Sequence, residues 1–150
     1  MDTVNFKVAI AHAIEREFEA AKFYHSLLVK VKMDSSRVLL DELESMELKH
    51  AEALCNFDKE GFSGFMPQSL KNLNISEILV QPEINDTMTF QDVLVVAMKR
   101  EEGSKNLYKA LSEYSPDSSS KNLFLKLASE EANHKLQLET LYDDEINREN

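Results

Sequence analysis

The sequence contains the same helical hairpin twice, at an offset of 84 residues. Apolar residues recur at steps of three and four along four long stretches, which predicts four amphipathic helices. Adding 84 to nine positions of the first half reaches the same residue type in the second: Ala13 and Ala97, Arg16 and Arg100, Glu17 and Glu101, Tyr24 and Tyr108, Leu27 and Leu111, Leu43 and Leu127, Glu47 and Glu131, His50 and His134, Leu54 and Leu138. Two copies of one hairpin predict a pseudo-twofold axis through a helical bundle.

The four predicted helices are joined by two short links and one long one. Helix A runs from about Thr3 to Val31, and helix B runs from Ser35 or Ser36 to just before Gly61. Helix C begins just after Thr89, where Asp92 would complete a capping box. Helix D begins around Ser115 and Pro116. Short links predict that A with B, and C with D, form antiparallel hairpins. The long link, Gly61 to Met88, is a crossover that would start helix C at the same end as helix B, with a short helix over Ser76 to Val80.

These patterns predict an all-α fold. The architecture is an antiparallel four-helix bundle with one long crossover between helices B and C. Three Gly and three Pro in 150 residues are too few for a turn-rich β sandwich or barrel. The length suits one domain, and we expect residues 1–150 to form it.

Polar residues interrupt each apolar stripe where a leucine would be expected. Each predicted helix has a glutamate in mid-stripe, and helices B and D add a histidine three residues later, on the same helix face. The six residues are Glu17, Glu47, His50, Glu101, Glu131 and His134. The spacing repeats as well, because 30 residues separate the two glutamates of each hairpin.

Four carboxylates converging in an apolar core would be costly unless cations lay among them. Two divalent ions would neutralise the four negative charges, and neutral imidazoles would complete the coordination. One Glu from each of two helices, with Glu-x-x-His from each of the other two, is the pattern of di-iron and di-manganese carboxylate sites. We therefore predict that Glu17 and His50 bind metal one, Glu101 and His134 bind metal two, and Glu47 and Glu131 bridge both ions.

Two other interpretations of these residues are weaker. An internal salt-bridge network would need cations in the stripe, where only Lys105 lies close enough. A mononuclear zinc protease is excluded by its motif, because Met46 and not histidine precedes Glu47, so H-E-x-x-H is absent.

The sequence around these ligands resembles the di-iron domain of the rubrerythrin family. The resemblance rests on Ala-Ile-Glu-Arg-Glu-Phe-Glu-Ala-Ala-Lys-Phe-Tyr ending at Tyr24, Glu-Leu-Lys-His ending at His50, Glu-Glu-Gly-Ser-Lys-Asn-Leu-Tyr ending at Tyr108, and Glu-Ala-Asn-His ending at His134. It covers about residues 5 to 145. It implies a ferritin-like fold and a non-haem di-iron centre with two iron ions per chain, with manganese or zinc as other possible metals.

The resemblance implies an oxidoreductase that reduces H₂O₂ or O₂ by Fe(II)/Fe(III) cycling. Two alternatives stay open, namely a ferritin-type iron oxidation and storage protein and a non-catalytic, metal-stapled bundle. Rubrerythrins proper add paired C-x-x-C motifs, whereas Cys55 is the one cysteine of this sequence, so an external donor such as a rubredoxin-like protein is implied. They also carry a further helix-C glutamate where this chain has Ser104, and this departure makes the six-ligand set equally similar to bacterioferritin-like centres.

Several polar residues near the stripes need separate interpretation. Tyr24 and Tyr108 lie two turns beyond Glu17 and Glu101, and they either hydrogen-bond a ligand carboxylate, as catalytic-site phenols, or are core tyrosines. The remaining candidates are expected to be structural: Arg16, Arg100, His12 and His25 on the surface, and Cys55 as a small buried filler.

Charge and hydropathy limit the partners. The formal net charge of −10 argues against nucleic acid, which requires clustered Lys and Arg. No apolar run reaches the roughly 20 residues of a membrane span, and no apolar leader segment is recognisable. We expect a cytoplasmic protein, without a membrane partner, that forms a homodimer or larger homo-oligomer.

Overall fold

The computed structural model describes residues 6–31, 33–60, 84–115 and 117–149. Within these residues the backbone forms four α-helices. They are α1 (Phe6–Leu27), α2 (Asp34–Glu60), α3 (Phe90–Glu113) and α4 (Ser118–Glu149). Helix α1 packs against α2, and α3 packs against α4, while smaller contacts join α1 to α3 and α2 to α4. The predicted all-α bundle of two hairpins is confirmed.

Local side-chain chemistry sets where the helices of the second hairpin begin. The Oγ1 of Thr89 accepts a hydrogen bond from the backbone N–H of Asp92, and the Asp92 carboxylate accepts one from the backbone N–H of Thr89, each at 3.1 Å. The predicted capping box and start of helix C are therefore confirmed. Helix D begins at Ser118, later than the predicted start near Ser115 and Pro116. The reason is Asp117, whose carboxylate accepts from the backbone N–H of Ser120 at 2.7 Å and caps the helix there.

The first hairpin begins and ends slightly differently from the prediction. Helix α1 ends at Leu27, short of the predicted Val31, and residues 28–30 form turns. Helix α2 begins at Asp34, one or two residues before the predicted start. The predicted helix over Ser76 to Val80 lies outside the described residues. The single-domain assignment of residues 1–150 stays a prediction.

The apolar core is divided into two clusters along the bundle axis. The first cluster contains Ile10, Leu54, Leu107 and Phe124. The second cluster lies nearer the other end of each helix. The second cluster includes Leu27, Leu40, Leu94 and Leu138. On every helix the mid-stripe glutamate lies between residues of one cluster and residues of the other. The polar layer is therefore enclosed by hydrocarbon at both ends. In the part of the chain that the structure describes, no helix is both long and apolar enough to cross a membrane.

The capping box predicts a measurable stability effect. Substituting Thr89→Ala removes the acceptor for an N–H group at the start of α3, and we expect the free energy of unfolding to fall by about 1 kcal/mol. The matched control is Thr140→Ala, at an exposed position inside α4 where alanine is the better helix former. Urea denaturation of both variants provides the measurement. A Thr89→Ala protein as stable as the Thr140→Ala protein would contradict the capping role.

Candidate metal centre

The six predicted ligands converge in the middle of the bundle. All are buried, with relative exposures from 0 % for Glu131 to 3 % for His50. Each of the four helices contributes its mid-stripe glutamate, and α2 and α4 contribute the two histidines. The convergence follows from the 84-residue repeat, because equivalent positions of two pseudo-symmetric hairpins face the same axis. The structure thus brings together every residue that the sequence predicted as a metal ligand.

The ligand atoms form two groups of four. Each residue offers one ligand atom, and within a group these atoms all lie within 4.8 Å of one another. The first group consists of Glu17, Glu47, His50 and Glu131, and the second consists of Glu47, Glu101, Glu131 and His134. Glu47 and Glu131 occur in both groups, so they lie where bridging ligands must be.

Short distances connect each histidine to three carboxylates. His50 Nδ1 lies 3.4 Å from Glu17 Oε2, 3.3 Å from Glu47 Oε1 and 3.1 Å from Glu131 Oε1. His134 Nδ1 lies 3.6 Å from Glu101 Oε2, 3.1 Å from Glu47 Oε1 and 3.2 Å from Glu131 Oε1. Two ligand atoms that each lie about 2.1 Å from one ion are separated by roughly 3.0–3.4 Å at octahedral or tetrahedral angles. Most of these spacings suit a shared cation.

The hydrogen bonding of the ligand atoms gives an independent test of the fit. Among the described residues, seven buried atoms of the cluster have no hydrogen-bond partner, although they lie close together. They are Glu17 Oε2, Glu47 Oε1, His50 Nδ1, Glu101 Oε2, Glu131 Oε1, Glu131 Oε2 and His134 Nδ1. Buried polar atoms are normally paired, whereas these seven lie close together without a hydrogen-bond partner. The residues present therefore fit a pair of metal ions.

The pKa values show how unfavourable this arrangement is without cations. Burial, followed by repulsion from neighbouring carboxylates, raises the pKa of Glu17, Glu47 and Glu101 to about 7. The same two causes raise the pKa of Glu131. For His134, burial lowers the pKa, but the surrounding carboxylates outweigh it and raise the pKa to about 12. The metal-free cluster therefore retains protons that bound cations would replace.

Two tyrosines link the hairpins by crossed hydrogen bonds. Tyr24 of α1 donates its hydroxyl proton to Glu101 Oε1 of α3, and Tyr108 of α3 donates to Glu17 Oε1 of α1. Of the two interpretations of these tyrosines, the structure shows a phenol bonded to a carboxylate of the cluster, and the partner is on the opposite hairpin. Burial and nearby carboxylates raise the pKa of both phenols well above the ordinary value, so both stay protonated donors. Each bond occupies the outer carboxylate oxygen and leaves the inner oxygen for a metal.

Glu130 is a site residue that the sequence interpretation missed. His50 Nε2 lies 3.3 Å from Glu130 Oε2, so the outer ring nitrogen of His50 donates to a carboxylate while Nδ1 faces the cluster. The two imidazole rings stack, with centroids 5.6 Å apart. The sequence offered one indication of this role. Glu130 immediately precedes Glu131 and faces α2, the helix that carries His50.

Arg16 is buried, at 7 % exposure, so the expected surface position is wrong. Its guanidinium donates to the hydroxyl oxygen of Ser104 at 3.2 Å and to the carbonyl oxygen of Arg100 at 3.4 Å. The small Ser104 side chain makes room for it beside the cluster. Burial lowers the pKa of Arg16, while Tyr108 and Glu17 partly offset this effect. Arg100 is half-buried, with its guanidinium 5.4 Å above the ring of Phe23, so it is not a fully solvated residue either.

The other candidate residues lie away from the cluster. His12 and His25 are exposed, as predicted, and His25 Nδ1 lies 3.0 Å from Glu44. Lys105 pairs with Glu102 at 2.7 Å outside the cluster, which removes the one cation considered for an internal salt-bridge network. Cys55 is half-buried rather than fully buried.

Fold and site together define a ferritin-like bundle with a buried carboxylate–histidine cluster of the kind that holds two metals. A rubrerythrin family model matches residues 92–150, which include Glu101, Glu131 and His134. The resemblance to rubrerythrins that the sequence indicated is therefore confirmed, with the family match on the second hairpin.

Two solved structures share this fold. A hypothetical protein from Pyrococcus furiosus is 26 % identical, with a TM-score of 0.74, and the alignment covers 94 % of this chain and 90 % of that one. A protein from Thermotoga maritima described as a ferritin-like diiron-carboxylate protein is 20 % identical, with a TM-score of 0.77, and 97 % of this chain and 99 % of that one are covered. Among curated proteins, none matches this sequence significantly.

The raised pKa values predict an unusual pH dependence for the metal-free protein. Glu17, Glu47 and Glu101 bind protons up to about pH 7 when folded but only to about 4.5 when unfolded, and His134 shifts in the same direction. Their contribution to stability is thus present at low pH and lost as pH rises, by about 1.4 kcal/mol per pH unit for each extra proton. We expect the melting temperature of metal-free protein to fall between pH 5 and pH 8, and a rising profile would contradict the assignment.

Removing one charge from the cluster should separate stability from metal binding. In metal-free protein at pH 8, we expect Glu47→Gln to raise the free energy of unfolding by roughly 1–3 kcal/mol, because a buried carboxylate with a raised pKa becomes neutral. The same change should abolish binding of two Fe²⁺ per chain, measured by metal analysis after anaerobic desalting. Glu52→Gln, at an exposed position of the same helix, is the control and should change neither quantity. A destabilised metal-free Glu47→Gln protein would contradict the repulsion argument.

Proposed function

We propose that this protein is a non-haem di-iron oxidoreductase that reduces hydrogen peroxide or dioxygen and binds two iron ions per chain. The observation that carries the proposal is the pair of overlapping ligand groups, each with three carboxylates and one imidazole, that share Glu47 and Glu131. The rubrerythrin match and the description of the Thermotoga maritima protein support iron as the metal. Four carboxylates and two imidazoles, without a thiolate, also suit ferrous iron chemically.

The chain's own residues would fix how the metals are held. By donating to the outer oxygens of Glu101 and Glu17, Tyr24 and Tyr108 orient these two carboxylates so that one oxygen of each is available for coordination. Glu131 has two inward-facing oxygens without a partner, as a bridging ligand requires. When bound, an iron pair supplies two electrons to one molecule of oxidant.

The surroundings of the cluster suit redox chemistry in a protected interior. Two apolar clusters lie above and below the site, and the six side chains of the cluster are buried, which strengthens electrostatic interactions inside. The buried guanidinium of Arg16 places a fixed positive charge near Glu17 and Glu131, where it can compensate negative charge brought by an oxidant. Because Ser104, and not a carboxylate, lies beside Arg16, we infer a fixed set of six ligands in both oxidation states.

Reduction of the oxidised centre requires electrons from outside the helices described. The sequence contains a single cysteine and so no paired C-x-x-C motif for a second iron site. We therefore include in the proposal an external electron donor of the rubredoxin type, and a homodimer or larger homo-oligomer as the working assembly.

The decisive measurement uses protein loaded anaerobically with two Fe²⁺ per chain. We expect one equivalent of H₂O₂, or an excess of air-saturated buffer, to produce near-ultraviolet Fe(III) absorption within seconds, much faster than free Fe²⁺ in the same buffer. Glu52→Gln should behave like the wild type, whereas Glu47→Ala should give only the rate of free iron, because a shared ligand is missing.

Each alternative outcome is informative. Iron that binds at two per chain but is oxidised by neither reagent faster than free Fe²⁺ would overturn the redox proposal and leave a metal-stapled bundle. Retention of many more than two irons per chain in a large hollow assembly would instead indicate iron storage. Sizing of the protein as a dimer would exclude that assembly.

A further inference from the structure

The pseudo-twofold repeat is broken at a position directly before the two predicted bridging glutamates. Adding 84 to each predicted ligand of the first hairpin gives the identical ligand of the second. The residue immediately before the bridging glutamate differs, because it is Met46 in α2 and Glu130 in α4. This position lies across the α2–α4 interface from the histidine of the other hairpin.

The break gives the two histidines different outer partners. His50 Nε2 lies 3.3 Å from the Glu130 carboxylate. By the repeat, the equivalent neighbour of His134 is Met46, whose thioether is only a weak hydrogen-bond acceptor. In the described part of the chain, no carboxylate accepts a hydrogen bond from His134 Nε2.

An outer carboxylate changes what an imidazole can do as a ligand. Accepting the Nε2–H proton fixes the tautomer with the Nδ1 lone pair directed at the metal, holds the ring orientation and increases ligand basicity. Loss of such an outer partner commonly lowers metal affinity by about 10–100-fold. His50 has this support from Glu130, and His134 lacks it.

Both histidines are buried, at 3 % exposure for His50 and 2 % for His134, but only one of them lines a surface cleft. A cleft of about 640 Å³ opens between α2 and α4, and its wall includes Met46, Glu130 and His134 but not His50. The less supported histidine is therefore also the one that a surface cleft reaches.

We propose that the two metal positions are inequivalent: the Glu17/His50 position binds tightly, and the Glu101/His134 position binds weakly and exchanges through the cleft. Glu130 is the positioning residue that creates the difference. The inference rests on the proposed two-metal function and adds which ion is bound more firmly.

The two positions can be measured one at a time by removing one histidine. The probe is Co²⁺ under anaerobic conditions, followed by its visible absorption in competition with a chelator of known affinity. His134→Gln leaves the position next to His50, and His50→Gln leaves the position next to His134. We expect Co²⁺ to bind about 10–100-fold more tightly to His134→Gln than to His50→Gln. Equal affinities would overturn the inference.

Glu130 and Met46 then test the cause. Added to His134→Gln, the change Glu130→Met should weaken Co²⁺ binding about 10–100-fold, whereas added to His50→Gln it should have little effect. Glu130→Gln, whose amide oxygen still accepts the Nε2–H proton, should retain part of the affinity. Met46→Glu should strengthen binding only in the His50→Gln protein. An equal effect of Glu130→Met in both backgrounds would indicate a general structural role and contradict the proposal.

Failure of the inference and failure of the proposed function give different results. If wild-type protein with native helical content, measured by circular dichroism, binds no Co²⁺, the two-metal proposal itself is wrong. If it binds two Co²⁺ but the histidine variants bind equally, only the inequivalence is wrong. Melting of each metal-free variant identifies any that is unfolded, and Glu130→Gln then replaces Glu130→Met as the deciding comparison.

Discussion

Repulsion among four buried carboxylates is the constraint on which the rest of this structure depends. The four helices place Glu17, Glu47, Glu101 and Glu131 in one apolar interior, where hydrocarbon above and below prevents water from screening them. Without cations, the cluster reduces its charge by holding protons, as the raised pKa values show. A bundle built in this way gives up stability in its metal-free state in exchange for strong binding of cations.

The sequence was sufficient to predict the ligands because two periodicities coincide. The helical period places a residue type on one face, and the 84-residue repeat requires each inward glutamate or histidine to occur twice. The capping box at Thr89 likewise depends only on residues that are close in sequence, and its prediction was confirmed. The start of α4 was not predicted, because Asp117 competes with Ser115 as a cap and propensity alone does not rank them.

Burial of Arg16 could not be predicted from its own helix. Its position lies off the apolar stripe, and a cation there is normally solvated. It is buried because α3 supplies Ser104, a side chain small enough to leave space and polar enough to accept a hydrogen bond, together with a backbone carbonyl. Glu130 was missed for the same reason, since its partner His50 is on another helix. Contacts between helices depend on rotation about each helix axis, which a periodic pattern determines only approximately.

The crossed tyrosine bonds have a consequence for how the fold is assembled. Tyr24 of α1 donates a hydrogen bond to the α3 carboxylate, and Tyr108 of α3 donates one to the α1 carboxylate. Neither hairpin therefore contains a complete ligand environment. Each hairpin supplies half of the metal-ligand residues, and its tyrosine orients a glutamate of the other hairpin. A polypeptide comprising one hairpin alone would build the same centre only by associating with a second copy around a true twofold axis, and fusion of the two copies in one chain is what permits them to diverge at Met46 and Glu130.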